Sequence, residues 1–113
     1  MSNESDIFKK LLKGPAYRIF YTETHGHLEA FKEFEKVSGV GYTLEMVNML
    51  GRRAHTIKGG SGFFSFDLLT KVAFNLEKLF DEDWIEDSIP DALKLITILN
   101  EEVLKLPVPA QEN

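Results

Sequence analysis

Apolar residues in this chain recur every three or four positions from Tyr17 to Val103, and no run of Val, Ile or Thr alternates with polar residues between turn signals. A period near 3.6 without a period of 2 commits the backbone to helices, because only a helix brings positions i, i+3, i+4 and i+7 onto one face. The expected fold class is therefore all-α. At 113 residues there is room for one domain. Cysteine is absent, which excludes a disulfide scaffold, a thiolate nucleophile and a Cys-ligated zinc or iron–sulfur site. Nine Phe, three Tyr and one Trp supply the apolar area that a core without staples needs.

Punctuation divides the pattern. Ser5 caps a short expected helix carrying Ile7, Phe8, Leu11 and Leu12, which Gly14-Pro15 ends. The next helix should run from about Pro15 to about Lys36, with Tyr17, Phe20, Thr24, Leu28, Phe31 and Phe34 as its stripe. Gly39, Gly41 and Tyr42 make a loop, and Thr43 is an N-cap for a third helix with Leu44, Val47, Leu50, Ala54 and Ile57 facing inward. Gly59-Gly60-Ser61-Gly62 should weaken or end that helix. A fourth begins near Ser65 or Phe66, with Asp67 in its first turn and Leu69, Val72, Leu76, Leu79 and Phe80 inward. The acidic stretch from Asp81 to Asp87 around Trp84 reads as a solvated connection. Ser88 caps the last helix, whose inward residues are Leu93, Ile96, Leu99 and Val103, and which stops before Pro107. Short connections make neighbouring helices antiparallel, so the expected architecture is an up-down four-helix bundle with a short extra N-terminal helix. Residues 1–106 form the domain, with a bundle core of about 15–106, and 107–113 a tail or linker.

Lys plus Arg number 13 and Asp plus Glu 18, a net charge of −5. That balance disfavours nucleic acid, whose phosphates need positive charge. No stretch has the roughly 18 apolar residues of a membrane span. The polar, acidic start at Met1 is unlike a signal peptide. The expected setting is cytoplasmic.

The sharpest chemical feature is Arg53-Ala54-His55-Thr56-Ile57-Lys58-Gly59-Gly60-Ser61-Gly62. With Ala54 and Ile57 on the core stripe, His55 turns to the flank or to solvent. Lys58 and Gly59 stand three and four residues on and share its face. A solvated imidazole keeps an unprotonated nitrogen at pH 7 and can attack phosphorus. The Lys58 ammonium can neutralise a phosphoryl group beside it, and Gly59 lets a bulky group approach. A mid-helix glycine costs about 1 kcal/mol relative to alanine, so its presence wants a reason. The plainer reading is an exposed helical histidine before a glycine-rich helix end.

This stretch, with Phe64, Phe66 and Leu76-Glu77-Lys78-Leu79, and with Phe20, Tyr21, Glu23 and Leu28 upstream, resembles the histidine phosphotransfer (HPt) domain family. The resemblance is closest to the N-terminal phosphotransfer domain of chemotaxis-type histidine kinases and covers roughly residues 15–106. It implies that His55 accepts a phosphoryl group, that Lys58 lies beside that group, and that Glu77 bonds the imidazole Nδ1. Gly59, with Gly62 and Thr56, would then line the surface a receiver approaches. It also implies no resident cofactor, with Mg²⁺ supplied by the partner, and two kinds of partner. One is a kinase ATP-binding domain as donor and the other a response-regulator receiver. The domain itself is expected to be monomeric and unable to phosphorylate itself from ATP. Phe74 departs from the pattern, standing where chemotaxis kinases often place a polar residue, so the hydrogen-bond network is expected to be reduced.

Other features receive plainer readings. His25 and His27, two residues apart, point to different sides of a helix and make a poor metal pair, and His27 reads as a packing residue. Glu23 reads as a boundary or surface residue. Of Phe63, Phe64 and Phe66, at least two are expected in the core, with Phe63 exposed. Gly59-Gly60-Ser61-Gly62 is not a P-loop, because no Gly-Lys-Ser/Thr follows. The rival function is a helical interaction module that binds a signalling partner without covalent chemistry. A metalloprotein bundle would need inward Glu and Glu-x-x-His ligands, which the sequence lacks.

Overall fold

The computed structural model describes residues 14–109. Four α-helices make up the described chain: α1 (Pro15–Val37), α2 (Leu44–Phe63), α3 (Asp67–Leu79) and α4 (Ile89–Leu104), with a 3₁₀ turn at Glu86–Ser88. There is no strand among the described residues. The expected helix at residues 5–13 lies outside them. The helices pack as a closed ring, α1 on α2, α2 on α3, α3 on α4 and α4 back on α1.

The α1 stripe is as read, since Tyr17, Phe20, Thr24, Leu28, Phe31 and Phe34 are its buried residues. Pro15 opens the helix, where its missing N–H is no loss. Lys36 in the last turn favours the negative end of the dipole. Thr43 caps α2, its side-chain oxygen accepting from Met46 N–H at 3.1 Å. Tyr17 ties the helical body to the segment after α4, its hydroxyl donating to the Pro107 carbonyl at 2.5 Å. Burial pushes its pKa up to about 12, with the neighbouring Tyr21 adding to the effect.

Three expectations are corrected. First, α2 does not end at the glycines but runs through them to Phe63. Gly60 lets the Phe20 ring lie against the helix, because a Cβ there would come within 2.6 Å of it. The stop lies further on. Ser65 takes φ 63°, Phe66 N–H bonds Ser61 O at 2.9 Å, and Ser65 N–H bonds Gly62 O at 3.1 Å, which is a Schellman closure with serine in the left-handed position. Replacing Ser65 by Gly should relieve the Cβ clash and, after the greater chain entropy of unfolded glycine, stabilise the domain by about 0.5–1 kcal/mol in urea denaturation. Second, Ser88 makes no side-chain cap bond to α4. It already has helical backbone angles as the last residue of the 3₁₀ turn, which leads straight into α4. Third, the inward residue in the first turn of α4 is Ala92, with Leu93 half-buried, and Leu44 of α2 is exposed.

Candidate functional site

The site lies where α2 and α3 run side by side. Ala54 and Ile57 are fully buried, which fixes the rotation of α2 and turns His55 and Lys58 towards its edge. On α3, buried Ala73 and Leu76 do the same for Phe74 and Glu77. Gly51 allows the close approach of the two helices at one end, since a Cβ there would collide with the Phe80 carbonyl oxygen.

Glu77 connects the other groups. His55 Nδ1 lies 2.5 Å from Glu77 Oε2, and Lys58 Nζ donates to Glu77 Oε1 at 2.6 Å. The Lys58 hydrogen bond holds the Glu77 carboxyl below its ordinary range, against partial burial, and the bond from His55 adds to it. An ionised carboxylate can only accept, so the Nδ1 proton belongs to His55, and the neutral imidazole carries its lone pair on Nε2. His55 is 67% exposed in its side chain, against 27% for Glu77, so the carboxylate is sheltered while most of the imidazole faces solvent. One consequence concerns pH. A lowered folded pKa means that the pairing contributes stability above the usual carboxyl value of 4.5, and loses it as pH falls from there through the folded value. The Glu77→Gln variant should therefore show a shallower acid limb of stability than the parent in that window, read by urea titrations at stepped pH.

The other predicted site residues, Thr56, Gly59 and Gly62, lie on α2. Thr56 is exposed, with its hydroxyl donating to Arg52 O at 3.1 Å. Gly59 is exposed and open, and a Cβ there would meet nothing within 4 Å. The fold does not require glycine at that position. Gly62 is exposed too, with Thr70 in ordinary contact distance of a Cβ. Phe63 and Glu23 are exposed, as read, whereas of the two core rings expected here only Phe64 is buried and Phe66 packs half-buried against the core. An open groove of about 700 Å³ runs beside His55, with Asn48, Arg52, Asp81 and Glu82 among its lining residues.

Two features escaped the reading. The Lys58 ammonium, read only as standing beside a phosphoryl group, bonds Glu77, and it also lies 5.5 Å from the Phe74 ring centroid. The three-residue spacing of Phe74 and Glu77 places them on one helix face and was the available signal. The second is the partner of His27. Arg53 Nη1 donates to His27 Nδ1 at 2.9 Å, so that ring is neutral with its proton on Nε2. Burial first, and then the guanidinium, lowers its pKa. His25 packs against Tyr21 at 4.4 Å between ring centroids, so the two histidines have different partners. Among the described residues no three His, Cys, Asp or Glu side chains are grouped to hold a metal ion, and no helix is long and apolar enough to cross a membrane.

The family model described as Hpt domain matches residues 16–106. No curated protein and no solved structure matches significantly.

Proposed function

The chain belongs to the Hpt domain family, which carries out histidine phosphotransfer in phosphorelays together with kinases and receiver domains, and from that premise we propose that His55 is its phosphoacceptor. The observation that carries this reading is the single carboxylate of Glu77 shared between His55 Nδ1 and Lys58 Nζ beside an exposed imidazole. The Nε2 lone pair attacks phosphorus in a receiver aspartyl phosphate. The N–P bond forms, the P–O bond to the aspartate breaks, and that carboxylate leaves with the electron pair. With a kinase as donor, the bond broken is the one to the γ-phosphorus of ATP, and ADP leaves. The phosphoimidazolium so formed keeps its proton on Nδ1, donated to Glu77, whose negative charge stabilises it. In the return step a receiver aspartate attacks phosphorus and the imidazole departs neutral, its lone pair restored to Nε2. Lys58 supplies positive charge next to the transferred group, and Mg²⁺ comes with the partner.

Thr56, Gly59 and Gly62 form the surface that the receiver covers. Gly59→Ala separates folding from docking. With no atom near the added methyl, the helix should gain about 0.5–1 kcal/mol in thermal denaturation, while transfer to a receiver should slow. Equal transfer rates for parent and variant would remove Gly59 from that surface.

The closer likeness to the N-terminal phosphotransfer domain of chemotaxis-type kinases is part of the same proposal. So are an up-down order of the helices, a monomeric domain and a cytoplasmic setting. The reading is tested by intact mass after exposure to acetyl phosphate, Mg²⁺ and a trace of receiver. An acid-labile gain of one phosphoryl group is expected. No gain with several receivers, nor with a chemotaxis-type kinase and ATP, would contradict it and favour a non-covalent interaction module.

A further inference from the structure

Phe74 is a large apolar side chain left 45% exposed on α3, next to the groups described above. Its ring meets cations. Lys58 Nζ lies 5.5 Å from the centroid and Lys78 Nζ 5.3 Å. Lys78 has no ion-pair partner among the described residues, so the ring and not a carboxylate is the group it meets. Lys58 reaches across from α2 and finds two groups on α3, the Phe74 ring and Glu77 Oε1, which stand three residues apart on one face.

We propose that Phe74 is a positioning residue of this site, its ring holding the Lys58 ammonium against Glu77 Oε1 so that Glu77 Oε2 is left to His55 Nδ1. The inference rests on the phosphotransfer reading for its consequence, but not for its geometry. An ammonium on a four-carbon stem has no orientation of its own, and a lone carboxylate contact lets both partners rotate. The negative face of an aromatic ring adds a second, directional hold on the cation. With Lys58 fixed, each carboxylate oxygen has one donor, and the imidazole cannot exchange its acceptor. The ring thus takes over in part the orienting work that a polar residue at this position would do by hydrogen bonding.

The test uses Phe74→Leu and Phe74→Trp, each alone and combined with Lys58→Met. Phe74 is half out of the core, so leucine should leave the fold intact, which helix content checks. The Glu77 carboxyl is titrated by NMR, and the rate of phosphoryl labelling is measured in parallel. Phe74→Leu should raise the Glu77 pKa and slow labelling by roughly two- to fivefold, while Phe74→Trp stays near the parent. In the Lys58→Met background, Phe74→Leu should change neither quantity further. An unchanged Glu77 titration in Phe74→Leu, or an effect that persists without Lys58, would overturn the inference and leave Phe74 a packing residue. Should the parent itself fail to label, the phosphotransfer reading falls, and the titration still decides the role of Phe74.

Discussion

Replacing His55 by Gln is expected to abolish phosphoryl acceptance and to leave the fold and its stability nearly unchanged. The two halves of that result have separate causes. Acceptance needs a nucleophilic nitrogen, and the glutamine amide has no basic lone pair to attack phosphorus, so no residual rate through the same atom should remain. The fold does not need the imidazole, because its side chain is 67% exposed and its neighbours Ala54 and Ile57 carry the packing. What is lost is one hydrogen bond to Glu77, which keeps Lys58 as a partner. A change of about 1 kcal/mol or less is expected, as for other partly exposed polar contacts. Loss of labelling accompanied by unfolding would not separate the two causes, so urea midpoints of both proteins belong with the labelling data. Undiminished labelling in His55→Gln would place the acceptor elsewhere.

The largest effect on stability is expected from Phe34→Ala. Phe34 is fully buried at the end of α1, with its ring edge-on to Tyr42 at 5.4 Å, Phe80 at 5.2 Å and Trp84 at 5.8 Å between centroids. These rings come from the α1–α2 loop, the end of α3 and the acidic connection. The side chain thus joins three segments that no helix stripe joins. Truncating a buried phenylalanine costs about 3–5 kcal/mol, transfer and cavity together. A domain of this size has only about 5–15 kcal/mol in total. The melting temperature should therefore fall by more than about 10 °C. Trp84 offers a built-in reporter, since it stacks on Phe80 at 4.7 Å and donates from Nε1 to Tyr42 Oη at 3.1 Å. Its fluorescence should change even where the variant stays folded. A melting temperature within a few degrees of the parent would mean that this aromatic cluster collapses onto the cavity without loss.

How far the sequence was legible follows from what kind of signal each feature left. The α1 stripe was read in full because six large or β-branched residues, Tyr17 to Phe34, repeat over about five turns with no competing face. The α4 register was harder. The inward position of its first turn is Ala92, a small residue, and a search for large apolar residues prefers the adjacent, half-buried Leu93. Leu44 was misread for a related reason. It is the first residue of α2 and is exposed, and hydrophobicity alone does not compel burial at a helix end. The glycine run was misread because each glycine is locally a helix weakener, whereas Gly60 is required by the Phe20 ring and the stop signal resides in Ser65. In the site, His55, Lys58 and Gly59 were legible as a spacing on one helix. Glu77 came only through the resemblance, since its distance from His55 is set by how α2 and α3 pack. The Lys58 contacts with Glu77 and Phe74 depend on the same packing, and periodicity on one helix carries no information about it.

In the proposed reaction the chemistry turns on one atom, Nε2 of His55, left free because Nδ1 is bonded to Glu77. Long-range proton–nitrogen NMR of the phosphorylated, ¹⁵N-labelled protein reads that atom directly, since the two ring nitrogens of a phosphohistidine have distinct shifts and couplings. The expected spectrum has the phosphoryl group on Nε2 of His55, with Nδ1 still protonated and the rings of His25 and His27 unmodified. A phosphoryl group on Nδ1 of His55, or on either of the other two histidines, would contradict the assignment of Glu77 as the group that selects the nucleophile.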